Sequence, residues 1–411
     1  MRPFRLHFLA FLEMGEADRA ESIFSEIGPR AELANDSHAF LEALLGLTQV
    51  ALMKREFGRA RRITDAAIEQ ADNRGLIWAI WPLACLRLES LLGDEGIVVF
   101  NEAFRALQIP ETGSLPELTD AHLQGLESVA RVIEGDLGVG TTDGSESVHR
   151  LANAGRPSVA IRILGYLCER FQEAGEIELA IRFSEQGANV SLAVGNVSAA
   201  LFELRRMSRF FVQSDRPAEA IEAIERAINE SQRAGWTEEI EALLHSALAI
   251  ERALGYPRLV VHRLTRIADI CGALYGISRK LVCLVEALHV GVPAHVHGMD
   301  VIAETVVAHL SEEMVTSMDD RELLAFARVL GGAKQFETAQ GLVASRARRY
   351  VSEEKSRRAA ELAAELAEIA LSLGRLDVTE SSYAMAIVLG ERLGILETES
   401  WRDRLDAVLY G

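Results

Sequence analysis

The stretch from Leu164 to Gly235, LGYLCERFQEAGEIELAIRFSEQGANVSLAVGNVSAALFELRRMSRFFVQSDRPAEAIEAIERAINESQRAG, decides the fold. Two phrases in it, GEIELA ending at Ala180 and DRPAEA ending at Ala220, share one plan: a turn residue, then a small residue five positions later that opens an amphipathic run. On either side, apolar residues recur at the three-and-four spacing that lines one face of an α-helix. Beyond this stretch the phrase returns as GEADRA at Ala20, REFGRA at Ala60 and KQFETA at Ala339. Two variants, GYPRLV at Val260 and GRLDVT at Thr379, keep the turn and lose the alanine. Positions 20 and 60, 180 and 220, 220 and 260, and 339 and 379 are each 40 residues apart, the signature of a repeat architecture.

Each phrase separates two helical stretches, and the second often ends on a glycine, at Gly75, Gly195, Gly235, Gly276 and Gly394, as a left-handed C-cap requires. Each unit therefore reads as a helix hairpin, with units near residues 76–115, 116–155 and 277–317 degenerate. Alternating patterns are rare and β-branched runs short, so no strand reading competes. The expected class is all-α: a right-handed α-solenoid of about ten antiparallel helical hairpins with a C-terminal capping helix. Ala60, Ala180, Ala220 and Ala339 are expected to be buried where paired helices touch. The Gly-rich run GDLGVGTTDGS, Gly135 to Ser145, reads as a long turn inside the fourth hairpin. It divides an N-terminal array, residues 1–135, from central and C-terminal repeats over 146–396. Residues 397–411 form the closing helix, capping the last repeat through Trp401, Leu405 and Val408.

Around Ala220, residues Leu204, Met207, Ser208, Phe211, Ala220, Ile224 and Ala227 stand at the spacing of the tetratricopeptide pattern, as do Leu164, Leu167, Cys168, Phe171, Gly175 and Ala180 one unit earlier. Most of the chain thus resembles the tetratricopeptide family. Its unit is longer than that family's roughly 34 residues. In this it is similar to the sensor domains of bacterial signal-transduction ATPase regulators of the maltose-activator and LuxR type. The resemblance implies a scaffold or sensor that binds a protein or peptide and is regulatory, with any ATPase outside this sequence.

Composition narrows the alternatives. The 411 residues carry a formal charge of −18, which disfavours a general nucleic-acid binder because duplex affinity rests on phosphate neutralisation. Positive charge is nearly all arginine, with lysine only at Lys54, Lys280, Lys334 and Lys355. Cys85, Cys168, Cys271 and Cys283 lie far apart among apolar helix residues, without a CxxC spacing, and read as buried free thiols of a reducing cytoplasm. The opening MRPFRLHFLAFLEMGE superficially resembles a signal peptide, but His7 and Glu13 interrupt it and it fits a repeat helix better. No apolar run approaches a membrane span. A cytoplasmic protein is expected. Its first hairpin exposes Phe4, Phe8, Leu9, Phe11 and Leu12, a face expected to dock on a partner chain, on a second copy, or on a domain outside this sequence.

No constellation suits catalysis. The Gly-rich run lacks the GK[ST] of phosphate loops and follows no strand. His289, His295, His297 and Asp300 gather in HVGVPAHVHGMD, but at no common zinc spacing, and a loop between helices explains them without a metal. Paired carboxylates such as Asp319 and Asp320 suit helix starts. The expectation is a non-enzyme with no cofactor and no metal.

One pattern does suggest binding. In tetratricopeptide superhelices the second, fifth and ninth places of a unit line the concave groove. Here those places hold Arg162, then Arg205 and Arg209, then His245, then His289, with Arg328 at a later ninth place. Such a row would receive an acidic peptide or protein segment through bidentate guanidinium contacts. The bland reading is that these side chains are solvated or paired with neighbours such as Glu169 and Glu203. Two other functions stay open: a ligand-sensing fragment of a transcription regulator with its ATPase or DNA-binding output on another chain, and a helical-repeat nucleic-acid-handling protein, which the net charge opposes.

Overall fold

The computed structural model describes residues 10–94, 96–107, 115–352 and 355–410, and every regular element among them is an α-helix. The chain divides into two compact units, Met1–Trp236 and Thr237–Gly411. The first carries α1 (Ala17–Leu33), α2 (Ser37–Met53), α3 (Phe57–Asn73), α4 (Ile77–Asp94), α5 (Ile97–Ala106), α6 (Glu117–Ile133), α7 (Leu137–Asn153), α8 (Pro157–Glu173), α9 (Ile177–Ala193), α10 (Val197–Gln213) and α11 (Pro217–Ala234). The second carries α12 (Thr237–Leu254), α13 (Pro257–Tyr275), α14 (Ile277–Gly291), α15 (Met299–Ala308), α16 (Glu312–Ser317), α17 (Asp320–Gly332), α18 (Phe336–Ser352), α19 (Ser356–Ser372), α20 (Leu376–Leu393) and α21 (Thr398–Tyr410). Within each unit successive helices pack on one another as stacked hairpins.

The 40-residue period resolves into two helical steps. Left-handed residues fall at Gly15, Asn35, Arg55 and Gly75, and again at Gly135, Gly155, Gly175, Gly195, Asp215, Gly235 and Gly255, every 20 residues. At Gly175 the turn is explicit: its N–H donates to the Gln172 carbonyl at 3.0 Å and that of Glu176 to the Phe171 carbonyl at 2.8 Å, satisfying the helix's last acceptors. The next helix starts at once. At other turns of the series Asp36, Asp136 and Asn196 cap the following helix by accepting from the N–H three residues on.

Small residues set the helix contacts. Ala20, Ala60, Ala180, Ala220 and Ala339 are all 0% exposed, as the repeat phrase requires. Larger side chains fill the layers between them, as where Phe171 of α8 stacks on Phe183 of α9 with ring centroids 5.1 Å apart.

The run Gly135–Ser145 corrects the sequence reading. Only residues 134–136 turn, and α7 passes through the rest. Gly140 and Gly144 are buried where α7 lies against α6 and α8. A Cβ on Gly140 would stand 2.5 Å from Val132 Cγ2, and one on Gly144 2.7 Å from Leu167 Cδ1. The glycines serve close packing, and the hairpin at 116–155 is a regular pair of 17-residue helices. Irregularity is real elsewhere, in α5 and α15 at ten residues and α16 at six.

Of the first hairpin's apolar residues, Phe4, Phe8 and Leu9 lie outside the described residues. Leu12 is buried with Ala20, Phe24, Ala43 and Val50 of its own chain, and Phe11 packs beside them. At the other end Trp401 of α21 packs on Ala363, Ala364 and Ala386, as expected of a cap. Among the described residues no helix is long and apolar enough to cross a membrane.

Candidate functional site

In the first unit the basic places predicted on α8 and α10 take opposite roles. Arg162 does not await a ligand. Its Nε donates to Glu89 Oε2 at 2.7 Å and its Nη2 to Glu89 Oε1 at 3.0 Å, a bidentate pair with the guanidinium side chain 9% exposed and the carboxylate 0%. His122 Nε2 of α6 lies 2.8 Å from Glu89 Oε1, and the Tyr166 hydroxyl donates to Oε2 at 3.4 Å. Burial pushes the Glu89 carboxyl up, but Arg162 and His122 outweigh it and hold the pKa down at about 2. Burial also pushes the Tyr166 hydroxyl far up, so it stays a donor. This cluster ties α4, α6 and α8 together and belongs to the core. Arg162 is thereby removed from the expected ligand row.

The chain's own N-terminal hairpins supply further partners on this side of α8 and α10. Glu13 accepts from the Ser158 backbone N–H at 2.7 Å, and Arg55, in the turn after α2, donates to Glu169 at 3.0 Å. Gly15 abuts the Asn196 side chain so closely that any Cβ would collide with it. The Arg55 guanidinium also lies 5.5 Å from the ring centroid of Phe202 on α10, as does that of Arg206. Arg206 is itself buried and donates to buried Glu203 and to Ser184.

One stripe of α10 reaches the surface. Phe202, Arg205, Arg209 and Val212 fall on one helical face, away from buried Leu204, Met207 and Phe211. Phe202 is 44% exposed and Val212 49%, Arg205 is half-buried and Arg209 exposed. The exposed Arg209 guanidinium stands between an aromatic and an aliphatic side chain, an arrangement that can hold a carboxylate or phosphate while covering apolar atoms. Glu169 stands one repeat before Arg209, and there Arg55 already makes the pairing that Arg209 would offer to an external acid.

The remaining predicted residues sit in the second unit. His245 on α12 is exposed, with Nε2 4.0 Å from Glu241 Oε1; His289 on α14 is exposed, and partial desolvation lowers its pKa. Arg328 on α17 is exposed. His289 is helical, and the irregular segment begins only after Gly291. Among the described residues no group of three His, Cys, Asp or Glu could hold a metal ion.

Sequence reasoning passed over Phe202, Val212, Arg55 and Glu89. Phe202 carried a usable signal, an aromatic residue on the polar face of a helix whose core positions are already filled. Glu89 carried none, since nothing periodic links it to Arg162 across 73 residues.

These features define an all-α protein of tetratricopeptide-like helical hairpins. No protein family and no curated protein matches the chain. Solved structures similar to it include the apo form of RapI, 11% identical, covering 87% of this chain and 99% of that one with a TM-score of 0.44. A Rap protein complexed with Competence and Sporulation Factor is 9% identical, with coverages of 86% and 98% and a TM-score of 0.34. The apo quorum sensor NprR from B. thuringiensis is 13% identical, with coverages of 85% and 98% and a TM-score of 0.36. At such identities and scores no function follows from the likeness, and the fold assignment rests on the helices themselves.

Proposed function

We propose that this chain is a non-catalytic, regulatory, cytoplasmic scaffold or sensor that binds an acidic protein or peptide segment along α10. The observation that carries this reading is the surface stripe of Phe202, Arg209 and Val212 on α10, with half-buried Arg205 on the same face. In a chain of net charge −18, guanidinium groups held beside exposed apolar side chains favour a ligand that brings both carboxylates and apolar surface. His245, His289 and Arg328 are further contact candidates on the second unit. The 20-residue helical step, twice which is one long hairpin, supports the likeness to the sensor domains of signal-transduction ATPase regulators, with the output carried by another chain.

A peptide library screened by fluorescence polarisation tests this. Selected sequences are expected to carry carboxylate or phosphate groups. Arg205→Ala combined with Arg209→Ala should weaken their binding at least tenfold, about 1.4 kcal/mol, with the melting temperature unchanged. Added salt should weaken the wild-type complex too. Full affinity in the double variant, or selection of basic peptides, overturns the reading.

A further inference from the structure

In the second unit, α18 and α20 are the second helices of consecutive hairpins, both packed on α19. Arg348 and Val388 stand 40 residues apart, one repeat, and so hold the same place on the two helices. Between the helices lies a groove of about 500 Å³, lined by Arg348, Val351, Ala384, Met385, Val388 and Leu389. Its apolar floor faces water. Val351 is 43% exposed, Met385 37% and Val388 49%, whereas Tyr383, Ala386 and Ile387 on the far side of α20 are buried. Gly341 and Ala344 share the Arg348 face of α18, and a Cβ on Gly341 would meet nothing within 4 Å. The charge beside the groove is basic. Arg348 Nε donates to the Ala344 carbonyl of its own helix at 3.3 Å and meets no carboxylate among the described residues. Arg392 lies one turn beyond Val388 on the same stripe of α20, exposed and likewise without a carboxylate among them. Other arginines of these hairpins are taken: Arg346 by Asp320, Arg358 by Asp320 and Glu361, Arg402 by Glu391 and Arg404 by Glu368.

We propose that this groove docks an acidic amphipathic helix of a partner protein. A third helix enters the space between two helices by laying its ridges into their groove, and Gly341, Ala344 and Ala384 let it come close. Its apolar side chains, at three-and-four spacing, cover Val351, Met385, Val388 and Leu389. A small molecule fits the site less well, because such ligands need most of their surface enclosed and this floor is half open to water. Charge sets the direction of the guest. Arg348 and Arg392 stand towards the C-terminal ends of α18 and α20, where the last carbonyls carry partial negative charge. A guest helix is favoured with its N-terminus at that end, and its first turn is also where carboxylates best suit its own dipole. Those carboxylates pair with Arg348 and Arg392, which the chain, at a net charge of −18, leaves without an acid of its own among the described residues. The site shares no residue with the α10 stripe and does not depend on it.

The test is a display library of amphipathic helices with a randomised first turn, selected on the native full chain and counter-selected on Met385→Asp combined with Val388→Asp. Both positions are exposed, so this variant should fold, which far-UV circular dichroism checks; Ala384→Arg, which fills the groove and keeps its floor, is the second blocking variant. Enriched peptides are expected to carry Asp or Glu in the first turn and large apolar residues at three-and-four spacing. Binding of an enriched peptide should weaken about tenfold or more in Arg348→Glu combined with Arg392→Glu. It should recover when the peptide's first-turn carboxylates are replaced by lysine. Arg205→Ala combined with Arg209→Ala should leave it unchanged, which separates this groove from α10. The proposal is overturned if no peptide is enriched, if enriched peptides carry basic first turns or bind both blocking variants equally, or if the charge swap restores nothing. A concentration-dependent dimer of the wild type that Met385→Asp with Val388→Asp abolishes also overturns it, since a second copy then fills the groove.

Discussion

Glu89 and Arg162 are both withdrawn from water, so removing either leaves the other as an uncompensated buried charge. Arg162→Ala should therefore destabilise the protein by about 3–5 kcal/mol in urea denaturation, whereas Arg209→Ala, at the surface, should change it by no more than about 0.5 kcal/mol. Equal small effects would show that the Glu89 cluster is dispensable. The same pair predicts an acid response. The folded pKa of Glu89 is depressed to about 2 from an ordinary 4.5, so between those values the unfolded chain binds more protons. Its stabilisation is complete above about pH 4.5 and is lost as pH falls toward 2. Glu89→Gln should flatten this part of the stability–pH profile, and an unchanged acid limb would contradict it. What was legible of Arg162 was only its place in the repeat, read there as a groove position. That a carboxylate from another hairpin meets it was not, because the partner is fixed by how distant hairpins come together and leaves no mark on local periodicity.

At the scale of the element, the helices were legible because three signals agree: an apolar face, a left-handed turn residue and a small residue at the contact. The reading failed at α7, where glycine frequency outweighed its position. Gly138 and Gly140 separate the two effects. Nothing lies within 4 Å of a Cβ at Gly138, so Gly138→Ala should stabilise by about 0.5–1 kcal/mol through helix propensity and a less flexible unfolded chain. At Gly140 the same Cβ meets Val132 Cγ2 at 2.5 Å and the Ser128 carbonyl oxygen at 3.0 Å, and backbone cannot step aside cheaply. Gly140→Ala should then destabilise by about 1–3 kcal/mol despite the same propensity gain. Thermal melts of the two variants should move in opposite directions. A parallel gain in both would restore the view of this run as a loosely held segment. Ala220→Leu, at a site 0% exposed, should cost a similar 1–3 kcal/mol by overpacking.

At the scale of the whole molecule, the two units differ in how far their contacts reach. In the first unit, pairs cross many repeats: Ser158 to Glu13 spans 145 residues, Arg55 to Glu169 114 and Arg162 to Glu89 73. In the second, Arg252–Glu286, Lys334–Asp300 and Arg404–Glu368 join residues 34 to 36 apart, about one hairpin. A solenoid whose repeats touch only their neighbours loses structure piecewise, whereas cross-links between distant repeats make a block open together. Hydrogen exchange on the intact chain can read this difference. Arg162→Ala should raise exchange throughout α1 to α8 at once, because loss of one tie exposes all the hairpins that it joins. Arg404→Ala should raise exchange only in α19 to α21 and leave α12 to α14 protected. If Arg162→Ala loosened α8 and its immediate neighbours alone, the long-range pairs of the first unit would be incidental contacts and both units would behave as one-dimensional stacks.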